Sequence, residues 1–277
     1  MMRTDPLTGA LVVVNPARQD RPQSSGSRNC PFCPGGLEAP DKYDVRWFEN
    51  RWPAMPDRRC EVVLYSPDHN ATFASIEVPR ATKVVELWTE RSAALAARND
   101  VDTVLVFENR GAAVGATISH PHGQIYAFDR VPPAVAAELH GPCSICRERT
   151  GERLVSETDG WRAWVPEAAA WPYELLLAPD AHVPDLTEVE PERLAAILVD
   201  VLARLDRLFG TPMPYMLWVH QRPCDGGEWP HAHLHVHIAP ALRSHDSLRY
   251  VAAGELGSGV FFNPVDPEEA ADDLRQA

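Results

Sequence analysis

Apolar residues recur along this chain in two rhythms. The runs EVVLY (Glu61–Tyr65), DTVLVF (Asp102–Phe107) and ELLLA (Glu174–Ala178) are short and nearly continuous, which predicts buried strands. KVVELWTERSAALAA (Lys83–Ala97) and ERLAAILVDVLARLDRLF (Glu192–Phe209) carry apolar positions at spacings of three and four, the period of one helix face. A third pattern is polar: HPHGQ (His120–Gln124) and HLHVH (His233–His237) repeat histidine at every second position. On a strand that spacing places His233, His235 and His237 on one face, and His120, His122 and Gln124 likewise. The proline-rich segments Ala54–Arg58 and Val131–Pro133 read as loops.

These patterns occur twice. Cys30, Cys33, His69 and His120 are followed 113 residues later by Cys143, Cys146, His182 and His233, and His122 falls on His235 at the same spacing. EVVLYSPDH (Glu61–His69) aligns with ELLLAPDAH (Glu174–His182), and the two helical stretches follow suit. Four ligand-type residues in one register are not a chance alignment. The chain is expected to be two tandem copies of one unit, 1–135 and 136–277, with the seam near Val131–Pro133. Strands, then a helix, then a histidine-rich strand in each copy predict an α+β fold with mainly antiparallel sheet.

Charge and composition narrow the function. The 277 residues carry 26 Lys and Arg against 39 Asp and Glu, a net charge of −13 with no basic stripe. That excludes a nucleic-acid reader and leaves room only for a local phosphate pocket. No apolar run reaches 18 residues, so no membrane span is expected. MMRTDPLTGALVVVNP lacks a basic region followed by an apolar one, so no signal peptide is read and the cytoplasm is the expected location. Four of the six cysteines lie in C-x-x-C pairs, which in that compartment points to metal ligands, while Cys60 and Cys224 are incidental.

Thiolate with imidazole in fours is the donor set of structural zinc. Cys30, Cys33, His69 and His120 form one such set; Cys143, Cys146, His182 and His233 form the other. Glu138, His220, His235 and His237 offer a different second site, a carboxylate with three imidazoles. If His120 binds metal, His122 is the histidine of HPHGQ left for chemistry, and its imidazole can attack a phosphate to form a covalent intermediate. Gly123 is expected to let the backbone approach a phosphate, with Gly111 and Gly115 loosening the preceding loop. Thr117 and Ser119 supply hydroxyl donors. Gln124 can donate an amide hydrogen bond but cannot act as an acid, which favours an intermediate that waits for a second substrate.

PLTG…R-x-x-RP (Pro6–Pro22), CPFC, SPDH, FENRGAAVG, HPHGQ, H-x-H-x-H, LRS and AGELGSG…NP…PEEAA, taken together from end to end, resemble the galactose-1-phosphate uridylyltransferases. This is a histidine-triad (HIT-like) family of two tandem units. The resemblance implies a homodimeric enzyme acting on a nucleotide sugar and a hexose 1-phosphate by a ping-pong route through uridylyl-His122, with Gln124 on the phosphate oxygens. It matches Asn109, Gly115 and Thr117 to nucleotide and phosphate contacts, and Arg18 and Arg21 to arginines near the phosphates, partly across the dimer interface. Arg249 stands where the family usually has lysine. Cys30, Cys33, His69 and His120 match its Zn2+ ligands, and Glu138, His220, His235 and His237 its second, Fe2+ or Zn2+, site. The complete second Cys2His2 set departs from that pattern and, like the AGELGSG…NP tail, is similar to the two-zinc plant ADP-glucose phosphorylase branch. Ligand count leaves both second sites open; the repeat register and thiolate chemistry favour Cys143, Cys146, His182 and His233. Two alternatives follow: an ADP-sugar or other NDP-sugar phosphorylase using the same histidine, and a zinc-stabilised binding module, against which the acidic charge and HPHGQ both argue.

Overall fold

The computed structural model describes residues 2–20 and 30–277. Arg21, one of the two arginines expected near the phosphates, lies outside the described residues. The chain opens with a hairpin of β1 (Met2–Thr4) and β2 (Leu11–Val13). The first half continues through β3 (Arg46–Glu49), β4 (Cys60–Leu64), α1 (Val78–Ala96), β5 (Thr103–Arg110) and β6 (His122–Phe128). Two short helices, α2 (Pro133–Glu138) and α3 (Ser144–Arg147), lead to β7 (Leu154–Thr158), β8 (Trp161–Trp164) and β9 (Leu175–Pro179). The same order then recurs as α4 (Pro191–Leu208), β10 (Tyr215–His220) and β11 (His235–Pro240). The hairpin β12 (Leu242–Ser244) and β13 (Ser247–Leu248), α5 (Ala253–Ser258) and α6 (Pro267–Gln276) close the chain.

Nine of these strands form one antiparallel sheet in the order β3-β4-β6-β5-β10-β11-β9-β8-β7. The centre of the sheet is the junction of the halves. There Val106 of β5 pairs with Val219 of β10, its own counterpart at the 113-residue spacing, so a local two-fold axis passes between them. One face is covered by α1 and α4, which pack side by side. The apolar positions that predicted these helices point inward: Val84, Val85, Trp88 and Leu95 on α1, and Leu194, Ile197, Leu198, Val201, Leu202 and Leu205 on α4, are buried in a shared core. Each such side chain contributes about 1.5–3 kcal/mol of transfer free energy. The opposite face stays open for chemistry.

The three apolar runs became β4, β5 and β9, as their length and composition predict. Two boundaries differ. Helix α1 starts five residues earlier than Lys83, with Pro79 in its first turn, where a missing N–H costs nothing. Pro133 likewise begins α2 instead of ending a loop, so the seam near Val131–Pro133 is partly helical, and the division at 135/136 falls inside that helix. Among the described residues no helix is long and apolar enough to cross a membrane.

Candidate functional site

His122 begins β6 on the open face, paired with Leu64 of β4. Its Nδ1 lies 2.7 Å from the carbonyl of His120. A carbonyl only accepts, so Nδ1 carries the proton and the Nε2 lone pair is the one presented for bonding. The ring meets Phe32 edge-on, with centroids 5.1 Å apart, which limits its rotation. Two positions along the same face, Gln124 accepts from Asn50 Nδ2 at 3.4 Å, an orienting contact from the segment after β3. His122, Gln124, Thr117, Asn50, Trp52 and Phe32 line a cavity of about 210 Å³. Two clefts of about 390 Å³ elsewhere carry neither His122 nor a metal-type group on their walls.

Behind His122 stands the first metal-type group. One donor atom from each of Cys30, Cys33, His69 and His120 lies within 4.8 Å of the others. Cys33 Sγ is 3.5 Å from His69 Nδ1 and 3.6 Å from His120 Nδ1. The His120 Nε2–H is held by the Ser66 carbonyl at 2.8 Å and by the Tyr43 hydroxyl oxygen at 2.8 Å, the tyrosine itself donating to the Phe32 carbonyl at 2.7 Å. That arrangement aims Nδ1 at the thiols and fixes the tautomer a metal requires. Burial pushes His120 down to about 4, so its ring is neutral, and burial together with Cys30 pushes the Cys33 thiol up. Two crowded thiols facing two imidazoles fit a dication that draws the thiol protons off. His120 thus ties the metal group and the His122 ring to one stretch of backbone.

The second half repeats this construction. Cys143, Cys146, His182 and His233 converge, with Cys146 Sγ 3.1 Å from His182 Nδ1 and 3.5 Å from His233 Nδ1. His233 Nε2 donates to the Pro179 carbonyl at 2.9 Å, 113 residues on from the Ser66 carbonyl that serves His120. His235 Nδ1 donates to the His233 carbonyl at 2.7 Å, as His122 does to His120. Here the open face is filled differently. Glu138 reaches in from α2, 2.6 Å from His220 Nδ1, 3.2 Å from His235 Nε2 and 3.5 Å from His237 Nε2. Although burial opposes it, these three imidazoles hold the Glu138 carboxyl well below the usual range. The two constellations that compete in the sequence share no residue and are both assembled. They coexist because His233 precedes β11 and turns toward the thiols, whereas His235 and His237 lie on the strand and face Glu138.

The remaining sequence-read residues divide. Thr117 lines the His122 cavity. Ser119 Oγ sits 3.1 Å from His69 Nε2, where it orients a ligand-type histidine. Asn109 is half-buried on β5 and Arg18 half-buried in a single 3-10 turn, its charge acting on Cys60; neither is on the cavity wall. Arg249 is buried against Glu255, which it holds ionised, and its guanidinium also donates to the Ala170 carbonyl at 3.2 Å and stacks over Trp171. It does not reach the cavity in this chain. Gly111 and Gly115, at φ +92° and +86°, bracket a tight 3-10 turn, so they shape the loop and do not loosen it.

Gly123 has a different reason from the one its sequence context suggests. A Cβ there would stand 2.1 Å from the Tyr65 hydroxyl, on the helix-covered face, away from any phosphate beside His122. Gly123→Ala is therefore expected to destabilise the chain by about 2 kcal/mol or more, read as a lowered melting temperature, with partial recovery in Gly123→Ala/Tyr65→Phe. Sequence reasoning also passed over Asn50, Phe32 and Glu108. Glu108 is the buried acid of FENR; burial pushes it up from 4.5 to about 7. From pH 4.5 to about 7 the unfolded chain has lost this proton while the folded chain keeps it. Its contribution to stability thus falls as pH rises through that window. Glu108→Gln is expected to gain stability relative to the parent between pH 5 and pH 8, measured by urea unfolding at both.

The N-terminal-domain profile of galactose-1-phosphate uridyl transferase matches residues 42–132, and the C-terminal-domain profile matches residues 116–275. The chain belongs to this family. A galactose-1-phosphate uridylyltransferase of Thermotoga maritima is 38% identical, covering 99% of this chain and 98% of the relative. Among solved structures, a uridylyltransferase superposes with a TM-score of 0.88 at 30% identity over 99% of this chain and 97% of that one. The ADP-glucose phosphorylase of Arabidopsis thaliana, solved with bound ADP-glucose, gives 0.81 at 26% identity over 100% and 99%. This galactose-1-phosphate uridyl transferase family member thus has relatives named for two different nucleotide-sugar reactions.

Proposed function

We propose that this chain moves UMP from UDP-glucose to galactose 1-phosphate through a covalent uridylyl-His122. The observation that carries the reading is the fixed tautomer of His122, with Nδ1–H on the His120 carbonyl and the ring on the wall of a cavity that Gln124 also lines. Nε2 bonds to the α-phosphorus, the bond from that phosphorus to the bridging oxygen breaks, and glucose 1-phosphate leaves. The imidazolium so formed keeps its Nδ1–H donated to the His120 carbonyl, which stabilises the positive charge. Gln124, steadied by Asn50, donates its amide N–H to a phosphoryl oxygen in both half-reactions. A phosphate oxygen of galactose 1-phosphate then attacks the same phosphorus and frees Nε2. Labelled glucose 1-phosphate should exchange into UDP-glucose with no second acceptor present; no exchange at full metal content contradicts the ping-pong route.

The two Cys2His2 groups, each closed at four donors, suit structural Zn2+, and Glu138, His220, His235 and His237 suit a third ion, Zn2+ or Fe2+. Such ions would tie the CPFC (Cys30–Cys33) and CSIC (Cys143–Cys146) turns to the histidines that precede β6 and β11; the chemistry stays with His122. We further assign the two copies to 1–135 and 136–277, and the working form to a cytoplasmic homodimer. Exposed Leu256, Val260, Phe261 and Phe262 near the C-terminus support the dimer, and two C-x-x-C pairs set for metal, with no disulfide among the six cysteines, support the reducing compartment. A second reading, ADP-sugar phosphorolysis with orthophosphate as acceptor, is favoured by the assembled second Cys2His2 group together with the ADP-glucose phosphorylase likeness.

A further inference from the structure

The cavity beside His122 has a far end that the transfer chemistry does not use. Phe48 of β3 pairs with Val62 of β4, and Val62 pairs with Gln124 of β6, so the three share one row of the open face. Neighbouring strands lie about 4.8 Å apart, which puts Phe48 about 10 Å from Gln124 across the sheet. All three line the cavity, which therefore extends from the reacting residues toward the sheet edge. A nucleotide whose α-phosphorus meets His122 has its base one ribose further on, and the cavity offers that length in this direction. The wall there is apolar, with Phe32, Leu37, Phe48, Trp52, Val62 and Ile118 available to the faces of a flat ring.

Two charged side chains interrupt that wall. Glu38 and Arg51 line the same cavity and are joined by a bond of 2.8 Å from Arg51 Nε to Glu38 Oε1. The backbone fixes Glu38: its N–H donates to the Pro31 carbonyl at 2.9 Å, and its carbonyl accepts from Arg46 Nε of β3 at 3.1 Å. The Glu38 side chain is 17% exposed against 51% for Arg51. An ion pair with one partner half in water contributes little to stability, so folding alone is a weak reason for placing it in an apolar slot. Their bond uses one of five guanidinium donors and one of two carboxylate oxygens, so the pair still presents a donor beside an acceptor. That is the complement of a pyrimidine edge whose ring N–H stands next to a carbonyl.

We propose that the Glu38–Arg51 pair selects the base of the nucleotide sugar: Glu38 accepts the ring N–H of uracil, and Arg51 donates to the adjacent carbonyl. The inference rests on the reading of His122 as the residue that takes up UMP. Cytosine is the sharpest contrast, because it has uracil's size but offers a lone pair where uracil has the N–H. It therefore meets the carboxylate as acceptor against acceptor, and a site left with an unpaired polar group rejects the wrong ligand strongly.

The test uses the full chain, loaded with metal, as parent, Glu38→Gln and Arg51→Met. Labelling of His122 by UDP-glucose and by CDP-glucose is followed by mass spectrometry over a range of donor concentrations. The parent is expected to prefer UDP-glucose by at least about 100-fold. Glu38→Gln, whose amide can donate to the cytosine ring nitrogen, should narrow that ratio at least about tenfold. Arg51→Met should raise KM for UDP-glucose at least about tenfold, with the rate at saturation within about threefold. Melting temperatures establish folding, and Arg51→Met, on the half-exposed partner, carries the test if Glu38→Gln does not fold. A parent that takes UMP on His122, with the donor ratio and KM within twofold of it in both variants, overturns the proposal alone. So does an equal loss with both donors, which makes the pair merely structural. A parent labelled from ADP-glucose and not from UDP-glucose, or never labelled, removes the uridylyl reading and this proposal with it.

Discussion

Replacing His122 with alanine is expected to lower nucleotidyl transfer by at least about 10⁴-fold, with melting temperature and metal content unchanged, because covalent catalysis has no substitute once its nucleophile is gone. His122 is only half-buried, and its Nδ1–H is anchored on the His120 carbonyl just before β6, so the fold loses little. Gln124→Ala makes the contrast. It removes a donor to the phosphoryl oxygens but leaves Nε2 in place, so about 10²–10³-fold of rate is expected to go. Steady-state transfer assays on both variants, with metal analysis alongside, check the ordering. A His122→Ala protein that keeps its rate would place the nucleophile elsewhere.

Cys30→Ser is expected to cost stability instead. Structural zinc contributes on the order of 10 kcal/mol to the folding of small domains, so losing one of four donors should lower the melting temperature by about 10 °C or more. Elemental analysis should show one equivalent fewer than in the parent, and the same for Cys143→Ser, since the two groups share no ligand. Cys60→Ser is the control: Cys60 is as buried as Cys30 but belongs to no group, and its metal content should not change. Activity should fall in Cys30→Ser as a consequence, because His120 links that group to the backbone that fixes the His122 tautomer.

Much of this architecture is legible in the chain because the repeat writes each feature twice. The 113-residue register of ligand-type residues anticipates two like halves, and Val106 against Val219 shows where they meet. Sheet order was not legible, since apolar runs predict strands without saying which of them pair. The histidine alternation around His233 misled for a local reason: His233 sits two residues before the strand begins, so its ring is released from the face that His235 and His237 share. Gly123 could be singled out but not explained, because the Tyr65 hydroxyl that demands it arrives from another strand. Asn50 carries no periodic or motif signal, Phe32 is in the sequence only one of the two residues between the cysteines of CPFC, and it is the fold that brings both to His122. Glu108 reads as the polar end of a strand and turns out to be a carboxyl buried in the core. Arg249, whose charge the family resemblance assigns to substrate, is satisfied within the chain by Glu255.

Intact-protein mass spectrometry after incubation with UDP-glucose, and separately with ADP-glucose, tests the central claim most directly. The account predicts a gain of one UMP from UDP-glucose, mapped to the peptide containing His122 and lost in His122→Ala. A gain of AMP from ADP-glucose alone would move the protein to the phosphorylase reading with the nucleophile intact. No adduct from either donor, with metal fully loaded, would contradict covalent catalysis by His122.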